Sequence, residues 1–273
     1  MNRKQTAEQL LDMFTRRIDE KLHSIVDFWE LYGGMQVFPF IPAAEIRAKI
    51  PEEITLLAHT AGLNVWAADE KEAELYQKNI QSVIDLKSPW CSEDLVHFVS
   101  GGSNYGVNFG ILLNQESLDN SIRRINKLRE DVPVPFLAEN PPVEYFVGDM
   151  TLDQYFRGLS EETDTGLLLD LGHLYAYSLL AKENPLDVLR RFPLDRVCEL
   201  HIAGGFVDPA GYYVDNHAYP IRQEVLNLLP YALQNTPHLK ALTYEFYEMP
   251  LHAAHDTLSQ IREIYDQHFV AVR

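Results

Sequence analysis

The sequence has few cysteines, no long apolar stretch and a shortage of basic side chains. Its 273 residues contain only Cys91 and Cys198, far apart and without metal-ligand spacing, which excludes a disulfide framework and indicates the reducing cytoplasm. No run of about 18 apolar residues occurs, so we expect no membrane-spanning helix. The formal net charge of −17 at pH 7 would repel a phosphate backbone, and we therefore expect no nucleic-acid partner. The lack of a long apolar run leads us to expect no membrane partner either.

What the chain does contain is material for a large core. Hydrophobic residues make up 46% and charged residues 23% of the sequence, which is typical of a globular protein. A length of 273 residues is normal for one barrel, so we expect residues 1–273 to form a single domain.

Segments with strand character alternate with segments of helical periodicity. The predicted strands are 54–58, 95–99, 134–138, 166–169, 197–202 and 241–246. The predicted helices are 69–86, 116–129, 151–159, 173–182, 185–191, 219–233 and 251–269. This alternation predicts an α/β fold of the TIM-type (β/α)8 barrel class. The first unit is irregular, because an amphipathic helix over the first 25 residues stands where a first strand is expected and 24–32 forms only a short apolar segment.

Polar residues that can bind metal follow the apolar strand segments. The candidate ligands are His59, Asp94, His97, Glu139, Asp170, His173, His201, Asp215, His217 and Glu245. In a parallel barrel the carboxyl ends of the strands meet at one face, so these side chains are expected to converge there. Positions three apart on a strand face opposite ways, so we expect only one of Asp94 and His97 to bind, and Asp94 fits the register better.

The chemistry of these residues indicates cations. Burying so many carboxylates together without compensation would cost about several kcal/mol per charge, and divalent metals supply that compensation. Imidazole mixed with carboxylate suits zinc, iron or manganese, and the absence of cysteine ligands argues against a closed structural zinc site. So many ligands, with bridging carboxylates, can hold two or three ions. Any one of these histidines alone would be more typical of an ordinary core or surface residue, so the prediction rests on the joint pattern.

In their order along the chain, these segments resemble a known family. The matching segments are 59–64, 92–94, 139–141, 168–173, 199–204, 215–217 and 244–245. They resemble the multinuclear non-heme iron-dependent oxidases, TIM barrels that oxidise cysteines in the precursor peptides of methanobactin and related natural products. The resemblance runs from about residue 27 to residue 247, and its more specific motifs are His201-Ile202-Ala203-Gly204 and Glu139-Asn140-Pro141.

The resemblance implies an oxygen-dependent oxidase with two or three iron ions that acts on a small-molecule or peptide substrate at a cysteine or similar residue. It leaves open whether a partner protein presents that substrate. It implies iron ligation by His59, Glu139, Asp170, His201, Asp215, His217 and Glu245. The chain departs from the family pattern at two places: Asp94 stands where the family usually has histidine, and Gly172-His173 replaces its usual asparagine pair. A histidine at position 173 favours a third metal ion.

The same chain also resembles a wider group of barrels. Asp170-x-x-His173 and Asp215-x-His217 resemble the trinuclear zinc site of endonuclease IV and its sugar-isomerase-like relatives. An abasic-site nuclease needs basic loops, and a sugar isomerase usually needs a lysine near its metals. This chain is strongly acidic and has no lysine at these strand ends. A zinc- or manganese-dependent hydrolase or isomerase of this group is therefore the alternative to the iron oxidase.

Overall fold

The computed structural model describes residues 26–32, 42–66, 73–100, 103–109, 111–246 and 250–269. The predicted N-terminal helix lies outside these residues. The strands of the described chain are β1 (Phe28–Tyr32), β2 (Thr55–Thr60), β3 (Cys91–Asp94), β4 (His97–Ser100), β5 (Ser103–Phe109), β6 (Ile111–Leu113), β7 (Phe136–Glu139), β8 (Phe146–Gly148), β9 (Gly166–Asp170), β10 (Val197–Ala203), β11 (Gly205–Val207), β12 (Tyr213–Asp215) and β13 (Ala241–Glu245).

Seven of these strands form one parallel sheet in the order β1, β2, β3, β7, β9, β10 and β13. Parallel neighbours need a crossover between them, and helices supply most of these connections. The shorter strands pair outside the main sheet, as β4 with β5, β6 with β8 and β11 with β12. The predicted α/β TIM-type barrel is therefore confirmed. Its curved sheet brings a residue of the first strand and a residue of the last strand to the same histidine, His201.

The helices connect these strands and cover the sheet. They are α1 (Ala43–Lys49), α2 (Ala73–Leu86), α3 (Gln115–Asp131), α4 (Leu152–Thr163), α5 (Leu171–Ala181), α6 (Pro185–Arg191), α7 (Gln223–Leu226), α8 (Leu229–Asn235) and α9 (Leu251–His268). Helix α3 shows why they form: Asn114 caps its first turn by accepting from the Ser117 N–H, and Leu118, Ile125 and Leu128 bury one face. Among the described helices, none is both long and apolar enough to cross a lipid bilayer.

Strand β9 is apolar until its last residue. Leu167, Leu168 and Leu169 of β9 are fully buried on both faces, as expected of a parallel strand covered by helices. The same strand ends on Asp170, which is also fully buried. A buried carboxylate directly after a run of leucines shows where the barrel changes from core to site.

Three sequence predictions about individual elements were wrong. The strand predicted at 95–99 is displaced: the barrel strand is β3, whose residues are too polar to stand out by hydropathy, and the apolar run belongs largely to the β4–β5 hairpin. The helix predicted at 219–233 is two short helices, α7 and α8, because Pro230 lies in the first turn of α8, where it removes an N–H and favours a new start. The first unit also contains a regular strand, since β1 pairs with β2 along its whole length.

Candidate metal centre

The register of the sheet brings candidate ligands of neighbouring strands to one level. Asp94 at the end of β3 lies opposite Glu139 at the end of β7, and Asp170 at the end of β9 lies opposite His201 in β10. Because the strands are parallel, all four residues are at the carboxyl-terminal mouth of the barrel. The convergence expected from the sequence is therefore observed for these residues.

The candidate ligands form four overlapping groups, in each of which one donor atom per residue lies within 4.8 Å of the others. The groups are His59, Asp94 and Glu139; Glu139, Asp170 and His173; Asp170, His201 and Glu245; and His173, Asp215 and His217. Glu139 and Asp170 each belong to two groups, as bridging carboxylates do in multinuclear centres. Nine of the ten predicted ligands are thus brought together, whereas the side chain of His97 lies outside the described part of the chain.

Glu139 is the centre of this arrangement. Its carboxylate oxygens lie 3.4 Å from His59 Nε2, 3.5 Å from His201 Nδ1 and 3.6 Å from His173 Nδ1. The side chain is 1% exposed. Three imidazoles from three different elements therefore face one buried carboxylate.

Within the described part of the chain, several buried oxygen and nitrogen atoms of the cluster have no hydrogen-bond partner. They include Glu139 Oε2, Asp170 Oδ2, His201 Nδ1 and both carboxylate oxygens of Asp215. A buried carboxylate oxygen without a partner costs about 1–3 kcal/mol or more, and native proteins rarely leave such atoms unsatisfied. A bound cation would satisfy several of them at once, so the residues present fit a metal centre.

Asp170 and His173 are held in place by the backbone around them. Asp170 caps α5, since its Oδ1 accepts from the His173 N–H at 2.6 Å, which leaves Oδ2 directed elsewhere. Asn140 fixes Asp170 through two hydrogen bonds, accepting from its N–H at 2.8 Å and donating to its carbonyl oxygen at 3.0 Å. His173 Nδ1 lies 2.8 Å from the Asn140 carbonyl oxygen, so this ring presents Nε2 toward Asp215.

A second buried carboxylate, Glu93, organises the loop that follows His59. Its oxygens accept from the backbone N–H groups of residues 62, 63 and 64 at 2.8, 2.8 and 2.6 Å, and from the Thr60 hydroxyl at 3.0 Å. The sequence singled out the segment 92–94 for its resemblance, but not this role. The contacts explain why Glu93 is buried while its neighbour Asp94 reaches the cluster.

The β11–β12 hairpin brings Asp215 and His217 to the cluster. His217 has a φ of 59°, a left-handed backbone conformation that side chains other than glycine seldom adopt, and its N–H donates to the Gly204 carbonyl oxygen at 2.9 Å. Its Nε2 lies 3.4 Å from Asp215 Oδ1. Gly172 permits the Asp215 carboxylate to lie close to helix α5, because a Cβ atom at position 172 would lie 2.4 Å from Asp215 Oδ2.

Burial and the many neighbouring carboxylates shift the pKa values of several residues in the cluster. Burial is the largest influence on Asp215 and, together with the neighbouring Asp170, raises its pKa to about 7. Burial also raises the pKa of Glu139 well above its usual value, reinforced by Asp94. His173 behaves oppositely: burial lowers its pKa, but the carboxylates of Asp170, Asp94 and Asp215 outweigh burial and raise it to about 9.

Sequence reasoning missed Glu30, which β1 directs into the cluster. Its Oε2 lies 2.8 Å from His201 Nε2, and the side chain is 6% exposed. The signal was present, because Glu30 is the only charged residue in the apolar run 28–32 and lies in a strand-like context. Glu199 is fully buried beside the same ring, with its Oε1 3.7 Å from His201 Nε2.

The fold and the donor groups define a TIM-type barrel with its candidate site at the carboxyl ends of the strands. The chain belongs to the RiPP precursor modification enzyme MbnB/TglH/ChrH family, whose model it matches over residues 9–266. RiPPs are ribosomally made peptides that are modified after synthesis. The family and the fold indicate an enzyme, and membership implies a peptide substrate.

Two relatives are similar to this chain over most of its length. A UPF0276 protein of Acaryochloris marina is 30% identical over 207 residues, which cover 75% of this chain and 72% of that protein. One from Shewanella oneidensis is 23% identical, with 90% and 88% covered.

Among solved structures, a xylose isomerase domain containing protein from Salmonella typhimurium matches with a TM-score of 0.61 at 12% identity, covering 94% of this chain and 92% of that one. Endonuclease IV from Thermus thermophilus matches with a TM-score of 0.54 at 17% identity, covering 93% and 94%. These likenesses show the fold.

Proposed function

We propose that the protein is a multinuclear non-heme iron oxidase that uses dioxygen to modify a peptide, at a cysteine or similar residue. The observation that carries the proposal is the set of overlapping donor groups that share Glu139 and Asp170, in a chain of a peptide-modifying family. Iron bound there would supply the redox chemistry, by activating dioxygen and binding the sulfur of the substrate.

The ligands we propose for the metal ions come from the four groups. They are His59, Asp94, Glu139, Asp170, His173, His201, Asp215, His217 and Glu245. Mixed imidazole and carboxylate donors suit iron, and the number of donors suits two or three ions. His97 stays a prediction from the sequence as the alternative to Asp94.

The protein's own contribution is geometry and exclusion of water. Glu139, Asp170 and His201 are almost wholly buried, so their charges act in a medium of low dielectric and keep fixed positions. Asn140 and the α5 N-terminus hold Asp170, while Glu93 holds the loop after His59. Such supporting contacts are what a metal site needs in order to present open positions to a substrate.

The hairpin beside the site offers a surface for a peptide. Tyr212 is 44% exposed and Tyr219 is 48% exposed, and Phe206 packs against Tyr219 with ring centroids 5.0 Å apart. Exposed aromatic side chains next to a site commonly contribute contact area in recognition. Tyr213, the next residue after Tyr212, is instead buried against Tyr175. Presentation of the peptide by a partner protein and a cytoplasmic location stay predictions.

A second candidate is a zinc- or manganese-dependent hydrolase or isomerase. It is favoured by the structural likeness to endonuclease IV and to a Thermus thermophilus protein, TTHB071, solved after soaking with ZnCl2 (TM-score 0.53, 16% identity, 94% of this chain and 97% of that one covered). The net charge of −17 speaks against DNA as its substrate. Elemental analysis of protein purified without added metal separates the candidates, since iron supports the oxidase and stoichiometric zinc supports the alternative.

The activity test compares iron-loaded and zinc-loaded protein. We expect the iron form to consume dioxygen with short cysteine-containing peptides and to change their mass, and the zinc form to do neither. The matched variant is Asp170→Asn, because asparagine keeps the cap of α5 while removing the charge. We expect it to remain folded and to lose oxygen consumption. Full oxygen consumption by Asp170→Asn, or hydrolysis by the zinc form, would contradict the proposal.

A further inference from the structure

The carboxylate of Glu30 lies behind the proposed ligands and belongs to none of the four overlapping groups at the mouth of the barrel. Glu30 of β1 is on the far side of two imidazoles, those of His59 and His201, whose ring centroids are 5.5 Å apart. Its side chain is 6% exposed. A charged side chain buried this deeply needs partners, and one carboxylate oxygen of Glu30 lies 2.8 Å from His201 Nε2 while the other lies 3.9 Å from His59 Nδ1.

His201 has two distinct sides. Its Nδ1 faces the mouth, 3.5 Å from Glu139 and 3.4 Å from Glu245, whereas its Nε2 faces Glu30 at 2.8 Å. His201 Nε2 and Glu30 Oε2 do not form a hydrogen bond in this arrangement. Neither atom has a hydrogen-bond partner elsewhere in the described chain. The 2.8 Å separation is nevertheless within the range at which Nε2–H donates to a carboxylate.

His59 repeats this pattern with its nitrogens exchanged. Its Nε2 faces the mouth, 3.6 Å from Asp94 and 3.4 Å from Glu139. Its Nδ1 lies 2.9 Å from Ser92 Oγ, and that hydroxyl donates to Glu30 Oε1 at 3.4 Å. A hydroxyl that donates to Glu30 can accept from His59, so this chain of contacts places the ring proton of His59 on Nδ1.

We propose that Glu30 is a shared positioning residue, which sets the tautomers and ring orientations of His59 and His201 so that Nε2 of one and Nδ1 of the other are free to bind metal. Metal-binding histidines usually donate their other N–H to a carboxylate or carbonyl. Here one carboxylate would serve two of them, His201 directly and His59 through the Ser92 hydroxyl. The inference rests on the proposed metal centre.

Glu199 lies on the same side of His201 as Glu30, with its Oε1 3.7 Å from His201 Nε2. Trp90 Nε1 donates to its Oε2 at 2.7 Å and the Thr243 hydroxyl donates to its Oε1 at 3.2 Å. These two donors hold Glu199 fixed without the help of Glu30. Glu30, Glu199 and His201 also lie close enough to receive a cation of their own, an arrangement that the experiment distinguishes by counting ions.

The test measures Zn²⁺ binding by the full chain and by Glu30→Gln, Glu30→Ala and the exposed control Glu161→Gln. We expect about 10–100-fold weaker binding for both Glu30 variants, an unchanged number of ions at saturation, and wild-type behaviour for the control. Circular dichroism checks that each variant is folded.

A spectroscopic readout separates positioning from a merely structural role. In protein labelled with ¹⁵N-histidine and loaded with Zn²⁺, His201 should carry its proton on Nε2 and His59 on Nδ1, and Glu30→Gln should shift both signals. Unchanged Zn²⁺ affinity in both variants would overturn the inference, as would the loss of one ion at saturation, which would make Glu30 a direct ligand. Failure of the wild-type chain to bind Zn²⁺ would instead count against the proposed metal centre.

Discussion

At the scale of single residues, the candidate site is a balance of buried charges. The carboxylates of Glu139, Asp170 and Asp215 are buried together, and imidazoles supply the nearest positive charge. Burial alone makes a carboxylate easier to protonate and an imidazole harder to protonate. The raised pKa of His173 therefore shows that the surrounding carboxylates outweigh burial. A metal ion would replace the proton on that ring.

This balance predicts how metal binding depends on pH. In the metal-free protein His173 has a pKa of about 9, so below that pH a metal ion must displace its proton, and the affinity rises with pH up to about 9. Asp215, with a pKa of about 7, adds a second proton at lower pH and steepens the dependence there. Calorimetric titration with Zn²⁺ in buffers of different ionisation enthalpy measures the protons released. Binding that releases no proton near pH 7 would contradict this account.

Individual residues also show what the sequence can and cannot predict. Asp170 and His173 were predictable, because they follow the most apolar strand of the chain and a carboxylate there is conspicuous. Glu30 was not identified, because the chain before it was expected to be helical and a single carboxylate in a short apolar segment has an ordinary surface explanation. The pairing of β1 with β2 is a long-range property, and it is this pairing that directs Glu30 inward.

At the scale of elements, one residue, Asp170, belongs both to the end of a strand and to the start of a helix. Asp170 ends β9 and caps α5, so one side chain fixes the helix and enters the cluster. Helix α5 is buried along most of its length and packs against β12, which carries Asp215. The site therefore depends on how closely α5 and the β11–β12 hairpin approach each other.

Gly172→Ala tests that approach. The added methyl group would lie 2.4 Å from Asp215 Oδ2, so we expect the carboxylate to move and Zn²⁺ affinity to fall by about tenfold or more. Gly172 is in the first turn of α5, where alanine is a better helix former than glycine, so the fold should persist. The matched control is Gly158→Ala in α4, where the methyl group would meet only the end of the Leu118 side chain at 3.0 Å. Equal Zn²⁺ affinity in the two variants would show that the close contact does not matter.

Element boundaries were predictable where hydropathy marks them and wrong where it does not. The helix predicted at 116–129 is α3, with an error of one or two residues at its ends, because its buried face has a clear helical period. Strand β3 was misplaced, because its sequence Cys-Ser-Glu-Asp is mostly polar and buries those groups through hydrogen bonds and the cluster. Hydropathy does not report such a strand.

At the scale of the whole molecule, a curved parallel sheet collects donors from distant parts of the chain. Glu30 from the first strand and Glu245 from the last strand of the sheet both contact His201, at 2.8 and 3.4 Å. The fold class and this general convergence were predictable from the alternation of strands and helices. Distances, bridging residues and supporting hydrogen bonds were not, because they depend on register between strands that are far apart in sequence.

The most direct test of the central claim is anomalous X-ray scattering at the iron edge from crystals of the full chain loaded with ferrous iron. The account predicts two or three iron peaks among the overlapping donor groups. Crystals with the ligands scattered, or with no iron peak among these residues at full loading, would contradict it.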